Sequence, residues 1–334
     1  MVKIIVSARI KKIAVIVAVM ALSVCILFSS AAFSSEKAAD LIVDTAFIKD
    51  KIAKSGWVIM DVRFPDEYKE GHIPGAVLLP GWISKLFVDD TKRAATVIPR
   101  LEKDIGEMGI GNKSHVIVYG SPINTHWNAV MFWVLEAMGC NSSQAQCTVH
   151  FYDGGIERWL AEGGKLEQTE TKAHVTTFKA SPGTKRGANA AEVMQVVEGK
   201  KKALIVDVRT AGEYEGTDVR ALRGGHIPKA VNIDYSKNFD HESYLMQPLS
   251  ELRLLYKDIP ADSRVITYCQ TGQRGAYTYL VLRALGFKDV AIYHDGWRVY
   301  GSNLNLPVES ETWYDFNRIN NTVKAVRELQ EKMK

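Results

Sequence analysis

The sequence has no acidic residue among its first 35 positions, and this segment contains Lys3, Arg9, Lys11 and Lys12. These four cations account for the whole formal charge of +4, since the chain has 42 basic and 38 acidic residues. The rest of the protein is therefore formally neutral, although the sequence pI is about 8.7. A net charge confined to one terminal segment argues against nucleic acid as a partner.

The N-terminal segment has the order of parts that is typical of a secretory signal peptide. A basic stretch ends at Lys12, an apolar run covers residues 13–28, and small residues follow, with Ser30-x-Ala32 and Ala32-x-Ser34 as cleavage patterns. The apolar run is shorter than the roughly 20 residues that span a bilayer. Residues 1–35 are thus predicted to be cleaved; an uncleaved anchor, as the chain's only membrane contact, is the alternative. In both cases the folded part is expected in the periplasm or another extracytoplasmic compartment.

Cysteine is scarce, with four residues in 334, and Cys25 lies in the predicted signal. Cys140 and Cys147 flank a polar loop and could form a disulfide in an oxidising compartment, which would stabilise the fold by roughly 2.5 kcal/mol. Two separate buried thiols are the alternative. Cys269 is then left unpaired, and an unpaired thiol in an exported protein is a candidate for reactivity.

The chain contains an internal repeat. Residues 57–80 match residues 203–234 through the patterns Asp-Val-Arg, Glu-Tyr, Gly-His-Ile-Pro and Ala-Val, and the second copy has eight extra residues before Gly225. Residues 115–120 likewise match residues 264–269. A length of 334 residues also suits two domains better than one. The predicted organisation is a signal (1–35), domain 1 (36–168), a linker (169–187), domain 2 (188–310) and a C-terminal helix (311–334).

Both copies alternate short apolar runs with segments of helical period. Strands are predicted at 58–61, 116–119, 148–151, 204–207, 265–268 and 290–293, and helices at 46–54, 129–138, 190–197, 250–256 and 275–285. This alternation predicts an α/β class in which each domain has a mostly parallel sheet flanked by helices. The tail places Phe316, Ile319, Val323, Val326 and Leu329 on one helical stripe, which is expected to pack on its own domain or, alternatively, to bind a partner.

Cys269 directly follows the strand at 265–268, in the stretch Cys-Gln-Thr-Gly-Gln-Arg that leads into a helix. Ligands collect at such points in α/β folds. A helix N-terminus stabilises a thiolate, and Gly272 lets the loop curl into a nest of N–H donors. Arg274 could bind the oxygens of a sulfonate or sulfite group with its planar fork. A nucleophilic thiolate with these neighbours requires neither a metal nor an organic cofactor.

With its Asp-Val-Arg, Gly-His-Ile-Pro and Asp-Gly-Trp motifs and its cysteine loop, the chain resembles tandem-domain rhodaneses, the thiosulfate and 3-mercaptopyruvate sulfurtransferases. The resemblance covers about residues 40–305. It implies two tandem rhodanese-like domains and a persulfide on Cys269, which takes sulfur from a small sulfur-containing anion and gives it to cyanide, a thiol or a protein. The site predicted on these grounds is listed here: Cys269 as nucleophile, with Gln270, Thr271, Gly272, Gln273, Arg274 and Lys229 as donor-binding residues.

The loop departs from the patterns of both enzyme types. Thr271 stands where thiosulfate enzymes typically have lysine, and Pro228, followed by Lys229, stands where many of them have arginine. The donor therefore stays open between thiosulfate, which a cationic site favours, and 3-mercaptopyruvate. In the first copy, Gly120 occupies the cysteine position, so domain 1 is predicted to be inactive and to shape the cleft.

Other repeated residues are interpreted as structural, because they also occur in the copy without a nucleophile. They are the set Asp61, Arg63, Glu67 and His72 and its counterpart Asp207, Arg209, Glu213 and His226. Trp297 either lines the cleft or packs in the core. A dual-specificity phosphatase is a further alternative, but its loop holds five residues between cysteine and arginine, whereas four stand here. A non-enzymatic alternative is an exported sulfur carrier or docking protein of a redox system.

Overall fold

The computed structural model describes residues 41–79, 91–142, 146–181 and 185–333. The predicted signal peptide lies outside the described residues. Domain 1 contains strands β1 to β5 and helices α1 to α5. The strands are β1 (Ile42–Val43), β2 (Trp57–Asp61), β3 (Val77–Leu78), β4 (His115–Tyr119) and β5 (Thr148–Tyr152). The helices are α1 (Thr45–Lys51), α2 (Pro65–Glu70), α3 (Thr91–Glu107), α4 (Thr125–Ala137) and α5 (Gly155–Ala161).

Domain 2 repeats this succession and has one additional, antiparallel pair of strands. Its strands are β6 (Gly187–Ala188), β7 (Leu204–Asp207), β8 (Arg223–His226), β9 (Val231–Asn232), β10 (Val265–Tyr268), β11 (Val290–Tyr293) and β12 (Glu309–Trp313). Its helices are α6 (Ala190–Val197), α7 (Ala211–Tyr214), α8 (Leu249–Leu255), α9 (Gln273–Ala284), α10 (Gly296–Tyr300) and the C-terminal α11 (Phe316–Lys332).

The two main sheets have the same topology. Domain 1 has the strand order β1-β5-β4-β2-β3 and domain 2 the order β6-β11-β10-β7-β9, with every neighbouring pair parallel. The α/β class and the tandem repeat are thus confirmed. The central strands are mostly apolar because helices cover both faces of a parallel sheet; all four residues of β10 and of β11 are buried.

The eight-residue insertion of the second copy forms a small sheet that the sequence did not predict. Strand β8 pairs antiparallel with β12, which precedes the C-terminal helix. In that helix, Val326 is 48% and Leu329 60% exposed, so the predicted packing of the stripe on its own domain is not found at these two positions. Among the residues described, no helix combines the length and the apolar character needed to cross a membrane.

Helices α4 and α9 hold the two domains together. Glu136 of α4, which is 1% exposed, accepts a hydrogen bond from Arg283 Nε of α9 at 2.9 Å and another from the Tyr279 hydroxyl. Nearby, the rings of Trp133 and His294 stack at 5.5 Å. A buried carboxylate is stable only with such partners, so the contact fixes α9, and the loop that leads into it, against domain 1.

The loop between α4 and β5 carries the cysteine pair. The sulfur atoms of Cys140 and Cys147 are bonded to each other, and both residues are 2% exposed. Asn141 N–H donates to the Cys147 carbonyl at 3.0 Å, which closes the same loop through the backbone. Cys269 is the free cysteine of the described residues.

Candidate active site

The cysteine loop connects the carboxyl end of β10 to the first residue of α9. Gly272 caps α9 with φ +91°, a left-handed conformation that costs glycine little. A Cβ atom at this position would lie 2.6 Å from His294 Cδ2, so a larger residue would also collide with the side chain of His294, which directly follows β11. The conformational role expected for Gly272 therefore has two physical reasons, backbone geometry and space.

Backbone groups surround the sulfur of Cys269, which is 1% exposed. The Gly272 N–H donates to Cys269 Sγ at 3.1 Å. On the other side of the loop, the carbonyl groups of Cys269 and Gln270 accept hydrogen bonds from Trp297 N and Arg298 N at 2.8 and 3.0 Å. Because the N–H of a trans peptide points opposite to its C=O, the amides of Gln270 and Thr271 are turned away from α10. Such a loop, at the start of a twelve-residue helix, favours an anion at its centre.

Three loop side chains are held by the protein itself. Gln270 Nε2 donates to the Arg220 carbonyl at 2.7 Å, and the Thr271 hydroxyl donates to Gln273 Oε1. These contacts fix the loop to the insertion of domain 2 and to the first turn of α9. Donor binding by these residues stays a prediction, and it rests on their backbone N–H groups more than on their side chains.

Arg274 differs from what the sequence indicated. Its Nη1 and Nη2 donate to the two carboxylate oxygens of Glu213 at 2.6 and 2.8 Å, and the Glu213 side chain is 1% exposed. The predicted fork is thus directed at a protein carboxylate and does not stand open for a donor. The pKa of Glu213 is lowered: its burial raises it, but hydrogen bonding to Arg274 and the charge of Arg274 outweigh that effect.

Arg220 is a cation at the site that sequence reasoning missed. It lies in the insertion, its Nη1 is 3.3 Å from Glu213 Oε1, and its side chain is 50% exposed. The insertion occurs only in the copy that has the cysteine, and this was the available signal. Arg220 therefore presents positive charge to solvent beside the loop, while Arg274 is mostly enclosed.

Two predicted candidates lie elsewhere. The Lys229 ammonium donates to the Val197 carbonyl at the end of α6, at 2.5 Å, rather than to the cysteine loop. Trp297 is fully buried; its indole N–H donates to the Arg223 carbonyl at 2.9 Å, and the Arg209 guanidinium lies 4.5 Å from its ring. Trp297 is therefore a core residue, and the structure gives no support to a donor contact by Lys229.

The repeated ion pairs have the structural role that the repeat indicated. Arg209 Nη2 contacts Asp207 at 2.6 Å and the Gly225 carbonyl at 2.7 Å, and Arg63 does the same with Asp61 and the Gly71 carbonyl. Glu213 is the exception in this group, because among the described residues its counterpart Glu67 accepts only from the backbone N–H of Phe64 in the same helix cap. In the copy with the cysteine, the helix-capping glutamate therefore also binds Arg274.

Domain 1 contributes the side chain of His126 to the surroundings of Arg274. The Arg274 Cζ lies 5.8 Å from the ring of Tyr235, and the ring of His126, from the first turn of α4, lies 5.9 Å from that of Tyr235. Burial and, secondly, the charge of Arg274 lower the pKa of His126 from 6.5 to about 4. No motif marked His126, because its domain has no nucleophile.

The position equivalent to Cys269 in domain 1 is filled by another side chain. A Cβ atom on Gly120 would lie 2.2 Å from Oδ1 of Asn128, whose Nδ2 donates to the Ser121 carbonyl at 2.8 Å. Domain 1 therefore lacks both the thiol and the room for one.

Restoring a cysteine in domain 1 is expected not to restore activity. In a Cys269→Ser background, Gly120→Cys should show no sulfur transfer and should lower stability by about 1–3 kcal/mol, because the new side chain overpacks against Asn128. Turnover and urea unfolding would measure the two effects. Adding Asn128→Gly should recover the stability without the turnover, since the domain 1 loop contains Pro122, which has no backbone N–H to donate. Turnover by the Gly120→Cys variant would contradict this expectation.

Comparison with known families identifies both copies. The family model described as a rhodanese-like domain matches residues 44–162 and 189–303. A putative thiosulfate sulfurtransferase of Saccharopolyspora erythraea is 31% identical over 285 residues, covering 81% of this chain and 96% of that protein. The thiosulfate sulfurtransferases of Pseudomonas aeruginosa and Corynebacterium glutamicum are 28% and 30% identical, covering 80% and 84% of this chain and 97% and 93% of theirs.

Solved structures share the fold at lower identity. The wild-type structure of EanB has a TM-score of 0.69 and 17% identity, covering 81% of this chain and 69% of that one. The anaerobic ergothioneine biosynthesis enzyme of Chlorobium limicola, in complex with trimethyl histidine, has the same TM-score and identity and covers 81% of this chain and 70% of that one. At this identity the likeness concerns the fold alone.

Proposed function

Because the chain belongs to the rhodanese family and is an enzyme of the thiosulfate sulfurtransferase type, we propose that Cys269 carries sulfur as a persulfide between a thiosulfate donor and a thiol or cyanide acceptor. The cysteine loop is the observation on which this rests. It directs the Gly272 N–H to Cys269 Sγ at 3.1 Å, at the N-terminus of a long helix. Both features stabilise an anionic sulfur.

The proposed reaction has two displacement steps. The Cys269 thiolate attacks the outer sulfur of thiosulfate; the Sγ–S bond forms, and the electron pair of the broken S–S bond leaves with sulfite. An acceptor thiolate or cyanide then attacks the outer sulfur of the persulfide, and the electron pair returns to Sγ. Both steps are exchanges of the thiol–disulfide type and need a good leaving group, which sulfite and the stabilised Cys269 thiolate provide.

The charge around the loop supports an anionic donor. Arg220 is half exposed next to the loop, and Arg274 lies within electrostatic reach of Cys269. These cations suit a compact dianion such as thiosulfate and also tolerate the carboxylate of 3-mercaptopyruvate, the second-choice donor. An exported location, which would decide the available acceptors, stays a prediction.

A donor panel tests the proposal. The protein is incubated with thiosulfate or 3-mercaptopyruvate, the mass of Cys269-containing peptides is measured, and thiocyanate formation from added cyanide is followed. We expect Cys269 to gain the mass of one sulfur atom faster from thiosulfate, with thiocyanate produced on turnover. No mass gain from either donor would contradict the proposal. A mass gain without turnover would favour the alternative, a sulfur carrier of an exported redox system.

A further inference from the structure

Domain 1 places one hydrogen-bonding side chain at the cationic side of the thiol site. His126 is the second residue of α4, and its ring packs edge-on against that of Tyr235 with an interplanar angle of 72°. Tyr235 in turn contacts the Arg274 guanidinium at 5.8 Å. His126, Tyr235 and Arg274 therefore form one cluster, and Arg274 lies within electrostatic reach of Cys269. His126 thus borders the site from the domain that has no nucleophile.

The imidazole of His126 is neutral at physiological pH. Burial and the neighbouring Arg274 lower its pKa to about 4, far below its ordinary value. A neutral imidazole has one N–H donor and one acceptor nitrogen. Within the part of the chain that the structure describes, neither ring nitrogen of His126 makes a hydrogen bond, so no described group occupies its N–H.

The positive charge at this side of the site is largely offset by a carboxylate. Both terminal nitrogens of Arg274 are bound to Glu213, whose negative charge offsets that of the guanidinium. A dianionic donor held next to the loop therefore needs further hydrogen-bond donors for its oxygens. His126 is one neutral donor beside Arg274, and it is only partly buried.

We propose that His126 binds the donor, with its imidazole N–H donating to an oxygen at the sulfonate end of thiosulfate. The active site is then composite, since domain 2 supplies the thiol and domain 1 supplies a donor-binding residue. This inference rests on the proposed function, because it requires an anionic sulfur donor at Cys269. It assigns to domain 1 a role in binding beyond packing.

A bound dianion should also change the protonation of His126. The groups that act on the ring are the Arg274 guanidinium, which disfavours its protonation, and the phenol of Tyr235, with Glu213 and Cys269 behind Arg274. A negative donor offsets Arg274 and raises the pKa of His126 above about 4. At pH values between the free and the bound pKa of His126, binding then takes up protons, so the affinity for thiosulfate rises as the pH falls through that range.

Thiosulfate binding to the Cys269→Ser protein isolates this effect, because no thiol titrates or reacts. Calorimetry should show His126→Phe weakening thiosulfate binding about tenfold or more, since the ring packing stays but the N–H is lost. His126→Gln should keep most of the affinity, because its amide donates. Proton uptake and the pH dependence should disappear in both variants. The matched control is His174→Gln, which changes an exposed histidine of the interdomain segment and should alter nothing.

A second measurement uses the intact thiol. The second-order rate constant of persulfide formation should fall about tenfold in His126→Phe at low thiosulfate, with an unchanged rate of discharge to cyanide at saturation. Equal affinity and equal rates in His126→Phe and the wild type would overturn this inference alone. The inference would also be overturned if His126→Gln lost as much affinity for thiosulfate as His126→Phe and both variants still took up protons on binding. Absence of any persulfide in the wild type would overturn the proposed function and this inference together.

Discussion

Cys269→Ser is expected to abolish persulfide formation and to lower sulfur transfer by several orders of magnitude. A serine hydroxyl occupies nearly the same volume at this fully buried position, so the loop and its contact with Gly272 should persist. It cannot, however, form a stable anion at neutral pH or hold a sulfur atom that a thiol then removes. Mass spectrometry after incubation with thiosulfate, and thiocyanate formation from cyanide, measure the two consequences.

The other two cysteines of the described residues provide the matched control. A Cys140→Ser/Cys147→Ser double variant loses the disulfide, and with it roughly 2.5 kcal/mol of stability by the chain-entropy relation. It should nevertheless form the persulfide on Cys269 at the rate of the wild type below its melting temperature. Full turnover in Cys269→Ser, or loss of the persulfide in the double variant while it is folded, would show that the site is wrongly assigned.

The parts of the fold that local sequence determines were predictable. The predicted runs at 204–207, 265–268 and 290–293 coincide with β7, β10 and β11. These strands are buried on both faces, so most positions are apolar and the run is visible in the sequence. The same property makes the repeat easy to recognise, because the two copies preserve the strand that leads to each loop.

The elements that were missed depend on tertiary partners. The edge strands β1 and β6 have two residues each and pair only because β5 and β11 lie beside them. Strand β8, with the sequence Arg-Gly-Gly-His, has no apolar run at all and is formed by pairing with β12. Helix α3 contains Pro99 in its interior, and a proline at such a position normally disfavours a continuous helix.

The site shows the same division between local and distant information. The cysteine, the glycine turn and the helix start are contiguous, and the sequence indicated their arrangement. The partner of Arg274 is Glu213, 61 residues earlier, and the repeat suggested for it a purely structural role shared with Glu67. His126 belongs to the other domain and is brought to Tyr235 only by the packing of α4 on α9. Sequence patterns within one domain cannot reveal such a neighbour.

Glu213→Ala is expected to lower the free energy of unfolding by about 3–5 kcal/mol, since it leaves the guanidinium of Arg274 enclosed without a counter-charge. The side chains of Arg274 and Glu213 are 13% and 1% exposed. Glu67→Ala is the matched control: both carboxylates cap their helices, through Phe64 N–H and Thr210 N–H, but only Glu213 binds an arginine. The control should cost only about 1 kcal/mol, and urea unfolding measures both variants.

The pH dependence of the free energy of unfolding provides a second test of this prediction. The folded-state pKa of Glu213 is lowered, as the contacts with Arg274 outweigh the opposing effect of burial. Its contribution to stability is therefore complete above the unfolded pKa and is lost as the pH falls through the folded value. The gap between the wild type and Glu213→Ala should narrow in acid for that reason. Arg274→Ala removes the cation that Glu213→Ala leaves without a counter-charge. The Glu213→Ala/Arg274→Ala double variant should therefore lose less free energy of unfolding than the sum of the losses of the two single variants. Additive losses, or a cost for Glu213→Ala no larger than that for Glu67→Ala, would mean that Arg274 is held by the loop itself, without need of the carboxylate.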